Sequence, residues 1–138
     1  MKFMFMVKGG ADYEAGNPPP PALLEAIGKL TQEMIKAGIF VGNGGLLPSR
    51  FGAKVRVARG KLSVVDGPFT ETKEVIGGYG ILEASSKAEA IKLAARFMEA
   101  HRDVLGPSYQ GECEVRQMMD GDCGAAHAAM QAERAATA

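Results

Sequence analysis

The stretch "SVVDGPFTETKEVIGGYGILEA", residues 63–84, joins two apolar runs through a dense polar connector. Short apolar runs bounded by glycine and proline read as strands rather than helices. The stretch therefore predicts a strand ending near Asp66, a turn, and a further strand through "GGYGILEA". Upstream, "AKVRVARGKLSVVD" predicts a hairpin: Val55 and Val57 alternate with Arg56, "ARGK" supplies the turn, and Leu62, Val64 and Val65 return. Downstream, Ser86 with Glu89 three residues later forms a capping box ahead of "AEAIKLAARFMEA". Ile91, Ala94, Ala95 and Met98 are the expected buried stripe of a helix over residues 86–100.

The outer segments obey the same periodicities. "KFMFMV", residues 2–7, is a strand with Phe3, Phe5 and Val7 on one face and Met4 and Met6 on the other. After "NPPPP", Leu23, Ile27, Leu30, Met34 and Ala37 recur at helical steps over residues 22–37, and Gly38 supplies the stop. Gly28 inside that helix costs about 1 kcal/mol against alanine, which close packing could offset. "IFVGNGGLLPS" starts as a strand and breaks at its glycines, and "ECEVRQMM" alternates Cys113, Val115 and Gln117 against Glu114, Arg116 and Met118. The order strand, helix, strands, strand, helix, strand predicts a ferredoxin-like α+β domain over residues 1–119: an antiparallel sheet with two helices on one face and an extra β-hairpin. Residues 120–138 form an Ala-rich tail that favours helix, with Met130 as its one large apolar anchor. Because the first strand is apolar on both sides, the face away from the helices needs cover, most simply a second copy in a homodimer.

Composition narrows the function classes. The 138 residues suit one domain, and 16 basic residues balance 16 acidic ones, so neither nucleic acid nor a membrane surface is an expected partner. The apolar run before Lys8 is too short for a signal peptide or a membrane span, which predicts a soluble, cytoplasmic protein. Cys113 and Cys123 lack the spacing of a zinc site and are expected to be free thiols; no metal is expected.

The connector holds the candidate site. Asp66 ends a strand at a glycine turn, where its carboxylate either accepts backbone hydrogen bonds or serves as a proton acceptor. Gly67 and Pro68 fix the path so that Phe69 turns inward. Glu71, Lys73 and Glu74 are either a solvated ion-pair cluster or, if they line a cleft, a set whose mutual influence separates acid and base roles. Gly77 and Gly78 either admit a ligand close to the backbone or relieve a strand bend, and Tyr79 offers a phenol. Asp66 and Glu71 are the catalytic candidates, with Lys73, Glu74, Gly77, Gly78 and Tyr79 as ligand contacts bordering the main cleft. "GNGGLLP" opens no helix and is interrupted by Pro48, so it is not a nucleotide loop. Arg50, Arg56 and Arg59 could meet an anionic ligand, but Arg56 and Arg59 read as a solvated hairpin face; His101 reads as a partner of a helix C-terminus and His127 as part of the tail.

"DGPFTETKEVIGGYG", residues 66–80, resembles the signature of the DGPF-type branch of the YCII-related proteins, in the dimeric α/β barrel superfamily. "KFMFMV", "GNGGLLPS", "VRVARGKLSVVDGPF", "ASSKAEAIKLAARF" and "ECEVRQMM" fall in the family's order. The resemblance implies a dimeric barrel and a cleft beside the connector that binds a small organic molecule without a bound cofactor. The wider group is associated with a histidine and aspartate pair whose histidine sits near the start of the first helix; here that region reads "PPPPALLEA", and Glu25 would replace it only by facing inward. Two functions stay open: carboxylate acid/base chemistry on that molecule, or a non-catalytic regulatory role with a protein partner, since some relatives are linked with extracytoplasmic-function sigma factors.

Overall fold

The computed structural model describes residues 1–70 and 72–138, apart from the side chain of Thr72. Strand β1 (Lys2–Lys8) leads through a one-turn helix α1 (Ala11–Glu14) into helix α2 (Pro21–Lys36) and strand β2 (Phe40–Gly45). A hairpin of β3 (Ala53–Ala58) and β4 (Lys61–Asp66) precedes β5 (Ile76–Glu83), helix α3 (Lys87–Leu105), β6 (Cys113–Gln117) and a terminal helix α4 (Cys123–Thr137). The four-stranded sheet has the order β2-β5-β1-β6 with every pair antiparallel, and the hairpin forms a separate two-stranded sheet. This is the ferredoxin-like α+β arrangement expected from the element order, with the hairpin inserted between β2 and β5. The sheet is open, and no described helix is long and apolar enough to cross a membrane.

Register assigns every side chain to a face. Phe3 stands opposite Leu82 on β5 and Gln117 on β6, and Phe5 opposite Gly80 and Val115, so these residues share the helix-covered face. Met4, Met6, Tyr79 and Ile81 fall on the other face with Glu114 and Arg116. The core gathers on the first face: Phe3 is 2 % exposed and packs with Phe5, Leu82, Met34, Ala90 and Ala94. An ion pair between Arg96 and Glu33 joins the outer surfaces of α2 and α3.

Local signals act much as anticipated, with three corrections. Ser86 Oγ accepts from the Glu89 N–H at 3.1 Å, but the Glu89 carboxylate reaches back to the N–H and hydroxyl of Ser85, one residue earlier than in the standard box. The buried stripe of α3 is Ala90, Ala94 and His101, flanked by Leu93 and Phe97; Ile91 and Ala95 are exposed. Alanine on nearly every face of this helix leaves its apolar side poorly marked, and the sheet selects a stripe about one position away. Third, Gly28 has no neighbour within 4 Å, so packing does not offset its helix cost.

The hairpin differs from the sheet. Arg59 and Gly60 take positive φ at its turn, and Val55 pairs with Val64 and Val57 with Leu62, placing four apolar residues on one face. All its residues are exposed. Helix α4 likewise buries none of its residues; Asp122 caps it by accepting the Ala125 N–H at 2.8 Å.

Candidate functional site

The floor of the site is made by missing side chains. On the helix-facing side of β5 and β2, positions 78, 80 and 45 are all glycine, where their neighbours on β1 carry Val7 and Phe5. A methyl group added at Gly80 would meet nothing closer than 3.9 Å, and one at Gly45 nothing within 4 Å. Helices α2 and α3 span this gap without filling it. The result is a cavity of about 1060 Å³ between sheet and helices, walled by Leu23, Ile27 and Met34 of α2, by Leu93, Phe97 and His101 of α3, and by Phe5 and Phe40 below. Its size reaches the upper range of small-molecule sites.

The lining also carries polar residues, among them Asn17, Thr31, Asn43, Ser108 and Gln110 beside those that follow. Tyr13 donates from its hydroxyl to the Gly77 carbonyl at 2.8 Å, and burial raises its phenol pKa. Tyr109 is also pushed up by burial, with the neighbouring Cys113 adding to it. Burial raises the Cys113 thiol to about 11, so it stays protonated at neutral pH and is a poor nucleophile. His101 is 8 % exposed, and its Nδ1 lies 2.9 Å from the carbonyl oxygen of Phe97, one turn earlier. Of the charged residues on the wall, Lys8 directs its ammonium to Glu74 at 3.5 Å and Glu114 at 3.9 Å, and Asp12 lies on exposed α1.

Of the described connector residues, Gly77, Gly78, Tyr79 and Gly80 line the cavity, and the others occupy other places. Asp66 ends β4 in solvent opposite Ala53 and, like Lys73, does not line the cavity. The Phe69 N–H, three residues after Asp66, donates to Ser49 Oγ at 2.9 Å. Gly67 precedes a cis peptide bond to Pro68 and lies so close to the chain that an added Cβ would come within 1.7 Å of the Ser49 carbonyl oxygen. Close approach, rather than a positive φ, is what requires glycine there. Phe69 is half-buried with the Lys54 ammonium 4.4 Å from its ring centre. Glu71 lies outside the described residues. Glu74 pairs with Lys8, and Gly77 and Gly78 line the cavity while touching the protein itself at Gly9, Tyr13 and Gly44. Tyr79 borders the cavity while its ring lies against Gly44, and Glu25 faces solvent beside Lys29 at 3.5 Å.

What pins the connector is a pair that spacing does not mark. Ser49, 5 % exposed, donates from its N–H to Glu14 Oε1 at 2.9 Å and from its hydroxyl to Glu14 Oε2, while accepting from Phe69. These bonds hold the Glu14 carboxyl below its usual range. Arg50 completes the latch by donating to the Glu14 carbonyl at 3.2 Å. The turn at residues 66–69 is thereby tied to α1, whose Tyr13 lines the cavity. Glu14 and Ser49 are 35 residues apart, so only the folded chain brings them together. Among the described residues, no group of three His, Cys, Asp or Glu side chains is arranged to hold a metal ion.

Comparison with known proteins gives two findings. The YCII-related domain matches residues 1–106, from β1 to the end of α3. An uncharacterized protein of Rhizobium meliloti (strain 1021) is 29 % identical over 96 residues, covering 70 % of this chain and 73 % of that protein.

Proposed function

Since the chain belongs to the YCII-related domain family, we propose that it works as a homodimer that binds a small, largely apolar organic molecule between its sheet and its helices. The observation that carries this reading is the glycine-floored cavity: three helix-facing strand positions without side chains leave room that the core residues do not fill. Glycine in a strand interior weakens the strand and often marks a bulge, a bend or a place where a ligand or another backbone comes close. The stretch "DGPFTETKEVIGGYG" supports reading the chain as one of the DGPF branch, and its first turn is tied through Ser49 to α1 beside the cavity.

The homodimer is supported by two uncovered apolar surfaces. One is the outer sheet face, where Met4, Met6 and Ile81 are half-buried beside exposed Tyr79; the other is the exposed hairpin face of Val55, Val57, Leu62 and Val64. Exposed apolar area on this scale is characteristic of interfaces. A second copy related by a two-fold axis covers the same patches on both chains.

The exposed position of Asp66 favours binding over carboxylate chemistry, which also suits a regulatory protein that senses a metabolite and passes its state to a protein partner. A thermal-shift screen against metabolite mixtures tests the binding reading: a ligand at 100 times its dissociation constant adds about 2.7 kcal/mol to stability. The expected result is at least one uncharged aromatic or alicyclic hit. No hit among such compounds, with hits confined to polyanions, would contradict it. Turnover of a hit would distinguish an enzyme from a sensor.

A further inference from the structure

Among the described residues, His101 is the one nearly buried polar side chain on the cavity wall with an unused hydrogen-bonding atom. A carbonyl oxygen only accepts, so the contact of Nδ1 with the Phe97 carbonyl places the ring proton of the neutral imidazole on Nδ1. The lone pair is then on Nε2. No described residue bonds Nε2, yet no buried side-chain nitrogen or oxygen among the described residues lacks a partner. Nε2 is therefore not sealed in the core but reaches open space, and the space that His101 borders is the cavity.

The ring is also held in position. Phe97 lies 4.5 Å from it, centre to centre, at 52°, and Tyr109 stacks on it at 5.7 Å and 26°. Tyr109 is seated by a glycine: a Cβ at Gly111 would fall 2.0 Å from its hydroxyl. An imidazole oriented by two aromatic neighbours and a backbone bond is preorganised, which is how sites gain specificity from one polar contact.

Resting on the reading of the cavity as a ligand site, we infer that His101 is its polar anchor: Nε2 accepts a hydrogen bond from the hydroxyl of an uncharged, ring-sized molecule, a phenol or an enol. An anionic ligand is disfavoured because, among the described residues, Lys8 is the cation on the wall and it is paired with Glu74 and Glu114. Around His101 the wall is built of Leu93, Phe97, Leu105 and Tyr109, which suit a ring, while Asp12, Asn17, Asn43 and Gln110 are further polar residues on the lining. A buried acceptor selects for a donor, since a ligand without one leaves Nε2 desolvated and unpaired.

The probes are β-naphthol and its methyl ether, equal in ring and differing in the hydroxyl proton. Titration calorimetry of the wild-type protein is expected to give tighter binding of the naphthol by about tenfold, the worth of one hydrogen bond. In His101→Phe, which keeps a flat ring, the two compounds should bind equally. Equal affinities in the wild type, or a preference retained in the variant, overturns the anchor while leaving the cavity site standing; binding of neither compound overturns both. A second readout needs no variant at position 101. The proton–nitrogen correlation spectrum of the imidazoles in mildly alkaline buffer, assigned with His127→Gln, should show His101 protonated on Nδ1 alone. A proton on Nε2 would refute the proposal even if His101→Phe failed to fold.

Discussion

The pair β1–β5 and the hairpin β3–β4 are both antiparallel, and both carry apolar residues at alternate positions, yet their surroundings are opposite. Phe3 and Leu82, paired across β1 and β5, are 2 % and 6 % exposed; Val57 and Leu62, paired across the hairpin, are 74 % and 72 % exposed. The difference lies in what covers them. Helices α2 and α3 follow β1 and β5 in sequence and fold back over their inner face, whereas the hairpin is entered and left by loops and pairs only with itself. An apolar pattern marks a face to be covered and says nothing of whether the cover comes from the same chain. The same lesson separates the two faces of the sheet, one lined by the core and the cavity, the other bearing Met4, Met6 and Ile81.

Substitutions sharpen this contrast, beginning with the largest effect. Phe3→Ala should lower stability by about 3–5 kcal/mol in denaturant titration, the usual cost of deleting a fully buried aromatic ring. A loss below about 1 kcal/mol would mean that the covered face is far looser than its burial indicates. Leu62→Asp should leave each chain folded by circular dichroism while weakening self-association by about 100-fold or more in sedimentation at micromolar concentration. An unchanged dimer in that variant would place the interface elsewhere, and a monomeric wild type would remove the homodimer altogether.

Ser49→Ala should cost about 1–3 kcal/mol, because the Phe69 N–H loses its acceptor and the Glu14 carboxylate loses a donor. The same variant should alter the acid limb of stability. The Glu14 carboxyl is held below its ordinary value of 4.5, so its contribution is present above that value and is lost as pH falls through the lower folded-state one. Removing the hydroxyl should flatten this part of the pH profile, and identical profiles would show that the latch contributes little. The smallest effect is expected from Gly28→Ala on the exposed side of α2, a gain of up to about 1 kcal/mol with no change in association. A loss there would reveal a packing partner for this face.

Much of the architecture was legible in the sequence because it depends on local periodicity. The strand through Phe5, the helix through Leu23 and Met34, and the alternation of Cys113, Val115 and Gln117 all follow from side-chain direction alone. The site was less legible for two physical reasons. Its floor depends on register: Gly45, Gly78 and Gly80 form one surface only once β2 and β5 are paired, and in sequence they resemble turn residues. Its one buried titratable group in α3, His101, reads as a polar residue near a helix end, and the alanines around it point the apolar stripe toward Ile91 instead. The latch of Glu14, Ser49 and Phe69 joins three distant segments, which no spacing rule brings together. The polar connector drew attention because it is dense in functional side chains, but its glycine is explained by contact with Ser49, and Asp66 stands in solvent.

The most direct test of the ligand cavity is to fill it and measure binding. Gly80→Leu places a side chain opposite Phe5, where the nearest obstacle to a Cβ is 3.9 Å away, and strand glycine is replaced by a residue that packs better. Thermal denaturation with and without a ligand identified for the wild type then separates the possibilities. The account predicts a folded variant at least as stable as the wild type that no longer gains stability from the ligand. A folded Gly80→Leu protein that is stabilised as strongly as the wild type would contradict it.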